Sequence, residues 1–165
     1  MALTEQEHLY LENALEQVAL AEAAAQALHY SYQRRPEVRD DQDYDDAQWE
    51  QWDALTARFA RLADVLTQRV FRAIDMVEFL PPGTTFVDRI NRAEKRGHIR
   101  SAYEWKEIRE IRNQIVHEYA TAQLLPLLRD VVQYIPELLE CVGRLGEYKQ
   151  IIQQRLEDSI TQGQR

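Results

Sequence analysis

The sequence is poor in glycine, proline and cysteine, and each shortage excludes a class of protein. Five glycines and five prolines among 165 residues exclude collagen-like and low-complexity chains. A single cysteine, Cys141, excludes an intrachain disulfide, and its apolar helical surroundings predict a small buried side chain. Strand-type runs of Val, Ile and Thr are missing, whereas Ala, Leu, Glu, Gln and Arg are abundant. This composition favours an all-α protein.

Long apolar runs and a basic leader segment are missing as well. No stretch approaches the roughly 18 consecutive apolar residues of a membrane helix. The first residues also lack a basic segment followed by an apolar run, so no secretory signal is predicted. We therefore expect a cytosolic protein with no membrane span. The net charge of −8 argues against a general nucleic-acid coat protein, so any contact with phosphate must be local.

Capping signals and apolar periodicity predict an up-and-down bundle of five to six helices in one domain, residues 1–165. Thr4 with Glu7 forms a capping box that opens the first helix, which should continue to about residue 31. An acidic loop over residues 33–46 follows, and its last aspartates suit the start of the second helix. This second helix is apolar around much of its circumference, which predicts a central position in the bundle.

The middle of the chain contains clear stop and start signals. The Pro-Pro-Gly run at 81–83 should end the second helix near residue 80. Thr84 or Thr85 is expected to cap a short third helix over about residues 86–96. Ser101 with Glu104 forms a second capping box, which opens the fourth helix.

The last third of the sequence predicts two more helices. The fifth should begin near residue 122 and kink at Pro136. Gly143 and Gly146 should loosen the passage to a sixth helix, which ends before a frayed tail at residues 160–165.

A local cluster of cations stands out in this acidic chain. Residues 89–100 carry five cations against one acid, a net charge of +4. Four of these cations are RNA-binding candidates: Arg89, Arg92, Lys95 and Arg96. The three arginines are spaced three and four residues apart and share a helix face. The functional interpretation is a patch for RNA phosphates, and the alternative is a surface that only keeps the protein soluble.

The end of the fourth helix carries four side chains whose functional groups are common in catalytic sites. They are Arg112, Asn113, His117 and Tyr119. A guanidinium can hold charge on phosphate oxygens, and an imidazole can move a proton near neutral pH. Arginine with histidine is therefore sufficient for cleavage of a phosphodiester without a metal ion, and we expect no cofactor.

Arg112 occupies an unusual position on this helix. At about 100° per residue it falls in the middle of the apolar stripe of Trp105, Ile108 and Val116, and Tyr119 returns to within about 20° of it. A guanidinium in such a stripe is costly unless it is paired with a carboxylate of a neighbouring helix, faces a wet cleft or meets a second chain. The sequence leaves these three solutions open.

His117 lies on a different line of the helix from Arg112. The two side chains are about 140° apart and about 7.5 Å apart along the axis, so a straight helix would not aim both at one point. Either the helix end bends, or Arg112 reaches around, or two copies of the stretch face each other in a two-fold dimer. We prefer the dimer, because it brings both histidines and both arginines into one cleft.

The spacing Arg112-Asn113-x-x-x-His117-x-Tyr119 resembles the R-x4-H-x-Y signature of the HEPN superfamily. It is most similar to the HepT-like toxins of HEPN/MNT toxin–antitoxin pairs, with the clearest support over residues 49–139. The resemblance implies a helical-bundle homodimer with metal-independent endoribonuclease activity. The ribose 2′-OH would be the nucleophile, the product would be a 2′,3′-cyclic phosphate, and tRNA is the favoured substrate.

The resemblance also implies roles for single residues. His117 would be the general acid or base, Arg112 would stabilise the phosphate, and Asn113 would orient the histidine or a phosphate. A cognate minimal nucleotidyltransferase antitoxin would transfer AMP to Tyr119, which adds negative charge and bulk where the RNA phosphate should bind.

Two alternatives to a ribonuclease stay open from the sequence. In the first, Arg112 and His117 only bind a nucleotide or a nucleotidyltransferase, and the helical module is not catalytic. In the second, the chain is a plain dimerisation scaffold in which Arg112 is a structural ion pair.

Overall fold

Helices account for most of the chain in a computed structural model, which describes residues 3–81, 85–117 and 124–163. The elements are α1 (Glu5–Arg34), α2 (Asp46–Asp64), a π-helical segment (Val65–Val70), α3 (Phe71–Val77), α4 (Phe86–Lys95), α5 (Ala102–His117) and α6 (Leu124–Gly163). Because α2, the π-helical segment and α3 follow each other without a break, the described residues form five helical rods and no strand. The predicted all-α bundle is confirmed.

Side-chain caps fix the starts of three helices. Thr4 and Glu7 form the predicted capping box, with the Glu7 amide donating to the Thr4 hydroxyl at 3.1 Å. Asp45 caps α2 as the acidic loop suggested, and Thr85 is the residue that caps α4. These confirmed starts show that local hydrogen bonding decides where the helices begin.

The acidic loop is organised around Tyr44. The Tyr44 hydroxyl donates to the carbonyl of Glu37 at 2.9 Å and accepts from the Arg39 amide at 2.8 Å. The Tyr44 ring lies against Trp49 and Trp52 with centroid distances of 5.0 and 6.0 Å. The loop therefore closes against the start of α2 instead of extending into solvent.

The second rod ends earlier than expected. The sequence predicted its end near residue 80, but α3 stops at Val77 and Phe79 adopts a positive φ of 55°. The Leu80 amide donates to the carbonyl of Asp75 and the Phe79 amide to that of Met76, both at 3.0 Å. This is a Schellman motif, which satisfies the last carbonyls before the prolines are reached.

The predicted division of the last third into two helices is wrong, because α6 is one helix of 40 residues that contains Pro136. Gly143 and Gly146 lie within it. A helical glycine costs only about 1 kcal/mol relative to alanine. Burial of Cys141, Leu145 and Ile152, each at most 1% exposed, offsets that cost. The helix also continues to Gly163, through most of the predicted frayed tail, and residues 164–165 lie outside the described ranges.

The second rod is central, as predicted. It packs on α1, α4, α5 and α6, and it contributes several fully buried side chains, including Trp52, Phe59 and Phe71. The Phe71 ring lies 5.4 Å from the Trp105 ring of α5, and this aromatic contact packs α5 against α3. Cys141 is buried, as its position predicted. Within the described ranges, no helix has the length and apolar character needed to cross a membrane.

Candidate functional site

Helix α5 is fixed at its start and along one face. The carboxylate of Glu94 accepts from the Ala102 amide, and the Ser101 hydroxyl accepts from the Glu104 amide at 3.4 Å. Trp105, Ile108 and Ile111 are buried in the core. These contacts position the last two turns of α5, which carry the residues singled out in the sequence.

Arg112 pairs with a carboxylate of the neighbouring helix. Its Nε donates to Oδ1 of Asp64 and its Nη2 donates to Oδ2, both at 2.8 Å. This bidentate hydrogen bonding to Asp64 raises the pKa of Arg112. Both side chains stay partly exposed, Arg112 at 31% and Asp64 at 41%. The arginine therefore has the carboxylate partner that the sequence offered as one solution, and it also faces solvent.

The ion pair leaves part of the guanidinium available. Arginine carries five N–H donors, and Asp64 occupies donors on only two of the three nitrogens. Nη1 lies 3.5 Å from Oδ1 of Asn113, which is long for a hydrogen bond. The N–H donors of Nη1 therefore remain largely available. A phosphate that approaches Arg112 can therefore be bound without loss of the Asp64 contact.

Arg112 lies at the wall of an open groove of about 320 Å³, which we call the Arg112 groove. Its lining residues come from α2, the π-helical segment, α4 and α5: Ala63, Asp64, Thr67, Gln68, Phe86, Ile108, Arg109, Arg112 and Asn113. Most of these side chains are polar or charged, and Phe86 and Ile108 supply apolar surface beside them.

Asp64 is a site residue that the sequence reasoning missed. It is the last residue of α2, directly before the π-helical segment, where the Thr67 hydroxyl donates to the carbonyl of Ala63 at 2.8 Å. Such π-helical distortions are frequent at functional sites. A signal was present, because Asp64 is an acid between Ala63 and Val65 in an otherwise apolar stretch.

His117 is the exposed last residue of α5, and the helix stays α-helical up to it. The angular separation from Arg112 expected from the sequence therefore applies to these two side chains. Asn113 lies beside Arg112 at the groove, one turn before His117. Tyr119 falls outside the described residues, so the structure does not place the predicted site of modification.

The predicted RNA patch has a different environment from the one expected. Arg92 and Arg96 donate to Asp75 at 3.1 and 2.6 Å, and Arg96 also pairs with Glu78 at 2.8 Å. These four residues form what we call the Asp75 cluster. Its two carboxylates balance the charges of Arg92 and Arg96, which the sequence predicted to contact RNA. The same ion pairs connect α4 to α3.

The other three cations of residues 89–100 differ from one another in their surroundings. Arg89 is 8% exposed, and Arg100 pairs with the buried Glu137 at 3.1 Å. Lys95 is exposed. RNA binding at these positions stays a prediction, with Lys95 the residue most open to solvent among the four candidates.

Within the described part of the chain, no cluster of three or more His, Cys, Asp or Glu side chains has the arrangement of a metal site. A search of curated proteins and a search of solved structures found no significant match. A protein-family model described as "Ribonuclease HepT-like" matches residues 16–145, which is more than half of the 165 residues and includes Asp64, Arg112 and His117. The chain therefore belongs to the ribonuclease HepT-like family.

Proposed function

We propose that this protein is the ribonuclease toxin of a toxin–antitoxin pair and cleaves RNA without a metal ion. One observation carries the proposal. Arg112 is held by Asp64 at the wall of an open groove, about one and a half helical turns before the exposed His117. A fixed guanidinium and an accessible imidazole are the two groups that phosphodiester cleavage needs.

In the proposed reaction the ribose 2′-OH attacks the adjacent phosphorus. A neutral His117 takes the 2′-OH proton as the new O2′–P bond forms. Arg112 stabilises the extra negative charge on the phosphoryl oxygens, and Asn113 orients the phosphate or the histidine. The P–O5′ bond then breaks, and a protonated histidine returns a proton to O5′. The products are a 2′,3′-cyclic phosphate and a 5′-hydroxyl end.

A homodimer is part of the proposal. His117 and Arg112 point along different lines of α5, so a second copy would complete the cleft with its own histidine and arginine.

The proposed partner is a minimal nucleotidyltransferase antitoxin that transfers AMP to Tyr119, and the proposed substrate is tRNA. Family membership supports both. The seven-residue spacing in the sequence predicts that Tyr119 aligns with Arg112, so an added phosphate would compete for the same guanidinium.

A second candidate is a non-catalytic module that binds a nucleotide or a nucleotidyltransferase. The Arg112–Asp64 ion pair favours it, because the charge of the guanidinium is already balanced in the free chain. In that case Arg112 and His117 would bind a ligand without any RNA being cut.

The test is incubation of the purified chain with total tRNA in the presence of a metal chelator. We expect cleavage to 2′,3′-cyclic phosphate ends and a rate about 10²–10⁴-fold lower for His117→Ala, the usual contribution of general acid–base catalysis. His29→Ala, an exposed histidine on α1, is the matched control and should cleave normally. Equal rates for the two variants would refute the mechanism. No cleavage by any form, with tight binding of the nucleotidyltransferase, would favour the second candidate.

The modification has its own measurement. Mass spectrometry of the chain after co-expression with a cognate nucleotidyltransferase should show added AMP. The added mass should be absent from Tyr119→Phe, and modification that persists in that variant would place the acceptor elsewhere.

A further inference from the structure

We propose that the Arg112 groove binds the base of the nucleoside next to the scissile phosphate, with Arg109 as the stacking surface and Gln68 as the group that reads the base edge. The inference rests on the proposed function, because it takes Arg112 as the phosphate ligand. It adds a subsite for recognition, formed by residues outside the signature of Arg112, Asn113, His117 and Tyr119.

The groove has suitable size and access. Its volume of about 320 Å³ lies at the lower end of the roughly 300–1,000 Å³ range of small-molecule sites, which is enough for a single purine or pyrimidine ring. Arg112 and Asn113 form one part of the wall, so a base in the groove would lie within one nucleotide of a phosphate on Arg112.

Arg109 provides a flat surface in this wall. Its guanidinium carbon lies 4.5 Å from the centroid of the Phe86 ring, an arrangement that holds the planar group in place. Phe86 is 9% exposed, whereas Arg109 is exposed and lines the groove. Guanidinium planes are common stacking partners for unstacked RNA bases. Phe86 therefore positions the guanidinium of Arg109 at the groove, where it is accessible to a ligand.

Gln68, from the π-helical segment, supplies a polar group to the wall of the groove. Its side chain is exposed, lines the groove and has no hydrogen-bond partner in the part of the chain that the structure describes. A primary amide offers both donors and an acceptor, which is the combination that base edges require. Gln68 is four residues after Asp64, a spacing that keeps both side chains on one side of the rod, and both line the groove.

The charge around the groove also suits an RNA strand. Arg109 and Arg112 both line the groove, against the single carboxylate of Asp64. By contrast, the charges of Arg92 and Arg96 are balanced inside the Asp75 cluster. The backbone of an RNA strand would therefore approach the Arg112 groove and not the Asp75 cluster.

The first test measures binding and does not need catalysis. The chain is titrated with the four nucleoside 3′-monophosphates and with inorganic phosphate, followed by amide chemical shifts and calorimetry. At least one nucleotide should bind about ten-fold or more tightly than inorganic phosphate, the scale of one stacked base. The amide signals that shift on binding should include those of Gln68 and Arg109. If no nucleotide binds more tightly than inorganic phosphate, the subsite does not exist.

The second test compares two pairs of variants, each pair matched in residue type. Gln68→Ala should reduce the ratio between the highest and the lowest nucleotide affinity about ten-fold, as expected for one lost hydrogen bond to a base. Gln51→Ala, exposed on the same rod, should leave the preference unchanged. Arg109→Ala should weaken all nucleotides, whereas the exposed Arg61→Ala on α2 should weaken none. Circular dichroism confirms that all four variants are folded.

The two proposals fail in different ways. If the chain cleaves RNA but Gln68→Ala and Arg109→Ala keep the wild-type preference and KM, the subsite is wrong and the ribonuclease proposal stands. If nucleotides bind through Gln68 and Arg109 but nothing is cleaved, the subsite stands and the ribonuclease proposal is wrong.

Discussion

Two arginine–carboxylate groups in this protein have similar chemistry and very different exposure. At the centre of the Asp75 cluster the Asp75 side chain is 5% exposed and that of Arg96 is 12% exposed, whereas Arg92 and Glu78 at its rim are 28% and 43% exposed. In the Arg112–Asp64 pair the corresponding values are 31% for arginine and 41% for aspartate. Exposure is thus the feature that separates an ion pair that holds helices together from one that can meet a ligand.

The physical reason is desolvation. A buried carboxylate has no access to water, so it depends on its arginines, and loss of one partner is costly. An exposed pair contributes little to folding, because water replaces either partner at small cost. The remaining donors of the partly exposed Arg112 are therefore accessible to a phosphate, whereas the buried core of the Asp75 cluster is not.

The largest effect on folding is expected at the buried cluster. Asp75→Asn removes the charge that balances Arg92 and Arg96, and it should lower the free energy of unfolding by about 3 kcal/mol or more. Urea denaturation measures this, with the exposed Asp53→Asn as the matched control. A change in the free energy of unfolding below about 1 kcal/mol would show that the cluster behaves like a surface pair.

A somewhat smaller effect is expected from His98, which lies beside the same cluster. Burial, helped by Arg96, lowers the pKa of His98 from 6.5 to about 4. Between these two values the unfolded chain binds a proton and the folded chain does not, so stability falls as the pH falls from 6.5 to 4. The loss at pH 4 should reach up to about 3 kcal/mol at 1.36 kcal/mol per pKa unit.

The pH effect is measured by urea denaturation at several pH values, for the wild type and for His98→Gln. The wild type should lose more stability than the variant between pH 6.5 and 4, because only the wild type has this histidine. Parallel curves would mean that His98 titrates normally in the folded protein.

The smallest effect on folding is expected at the exposed pair. Asp64→Asn should change the free energy of unfolding by less than about 1 kcal/mol. It should still slow RNA cleavage, because Arg112 loses the carboxylate that orients it. The matched control is Glu50→Gln, an exposed acid on the same helix. A variant that is strongly destabilised, or that cleaves at the full rate, would contradict the assigned role of Asp64.

The sequence predicted the local features of the fold well. Helix starts follow from side chains three residues apart, as at Thr4 with Glu7, and such contacts are visible in the sequence. The position of Arg112 in an apolar stripe and its need for a partner were also predictable. The continuity of α6 through Gly143 and Gly146 was not, because it depends on packing against the rest of the bundle.

The partners of the arginines are a second feature that the sequence did not reveal. Asp64 is 48 residues from Arg112 and Asp75 is 17 residues from Arg92, so neither pair can be read from helical spacing. The cations at 89–96 looked like a surface patch because their carboxylates lie on another helix. Only the packing of α3 against α4 reveals that Arg92 and Arg96 are already paired.

The central claim is that Arg112 serves RNA cleavage whereas Arg96 serves the fold. The most direct measurement compares Arg112→Gln with Arg96→Gln for urea midpoint and for cleavage rate per folded molecule. Arg112→Gln should keep the wild-type midpoint and lose cleavage, and Arg96→Gln should lower the midpoint and cleave normally where it is folded. If Arg112→Gln instead lowers the midpoint as far as Arg96→Gln and still cleaves RNA, Arg112 is a structural ion pair and the account is wrong.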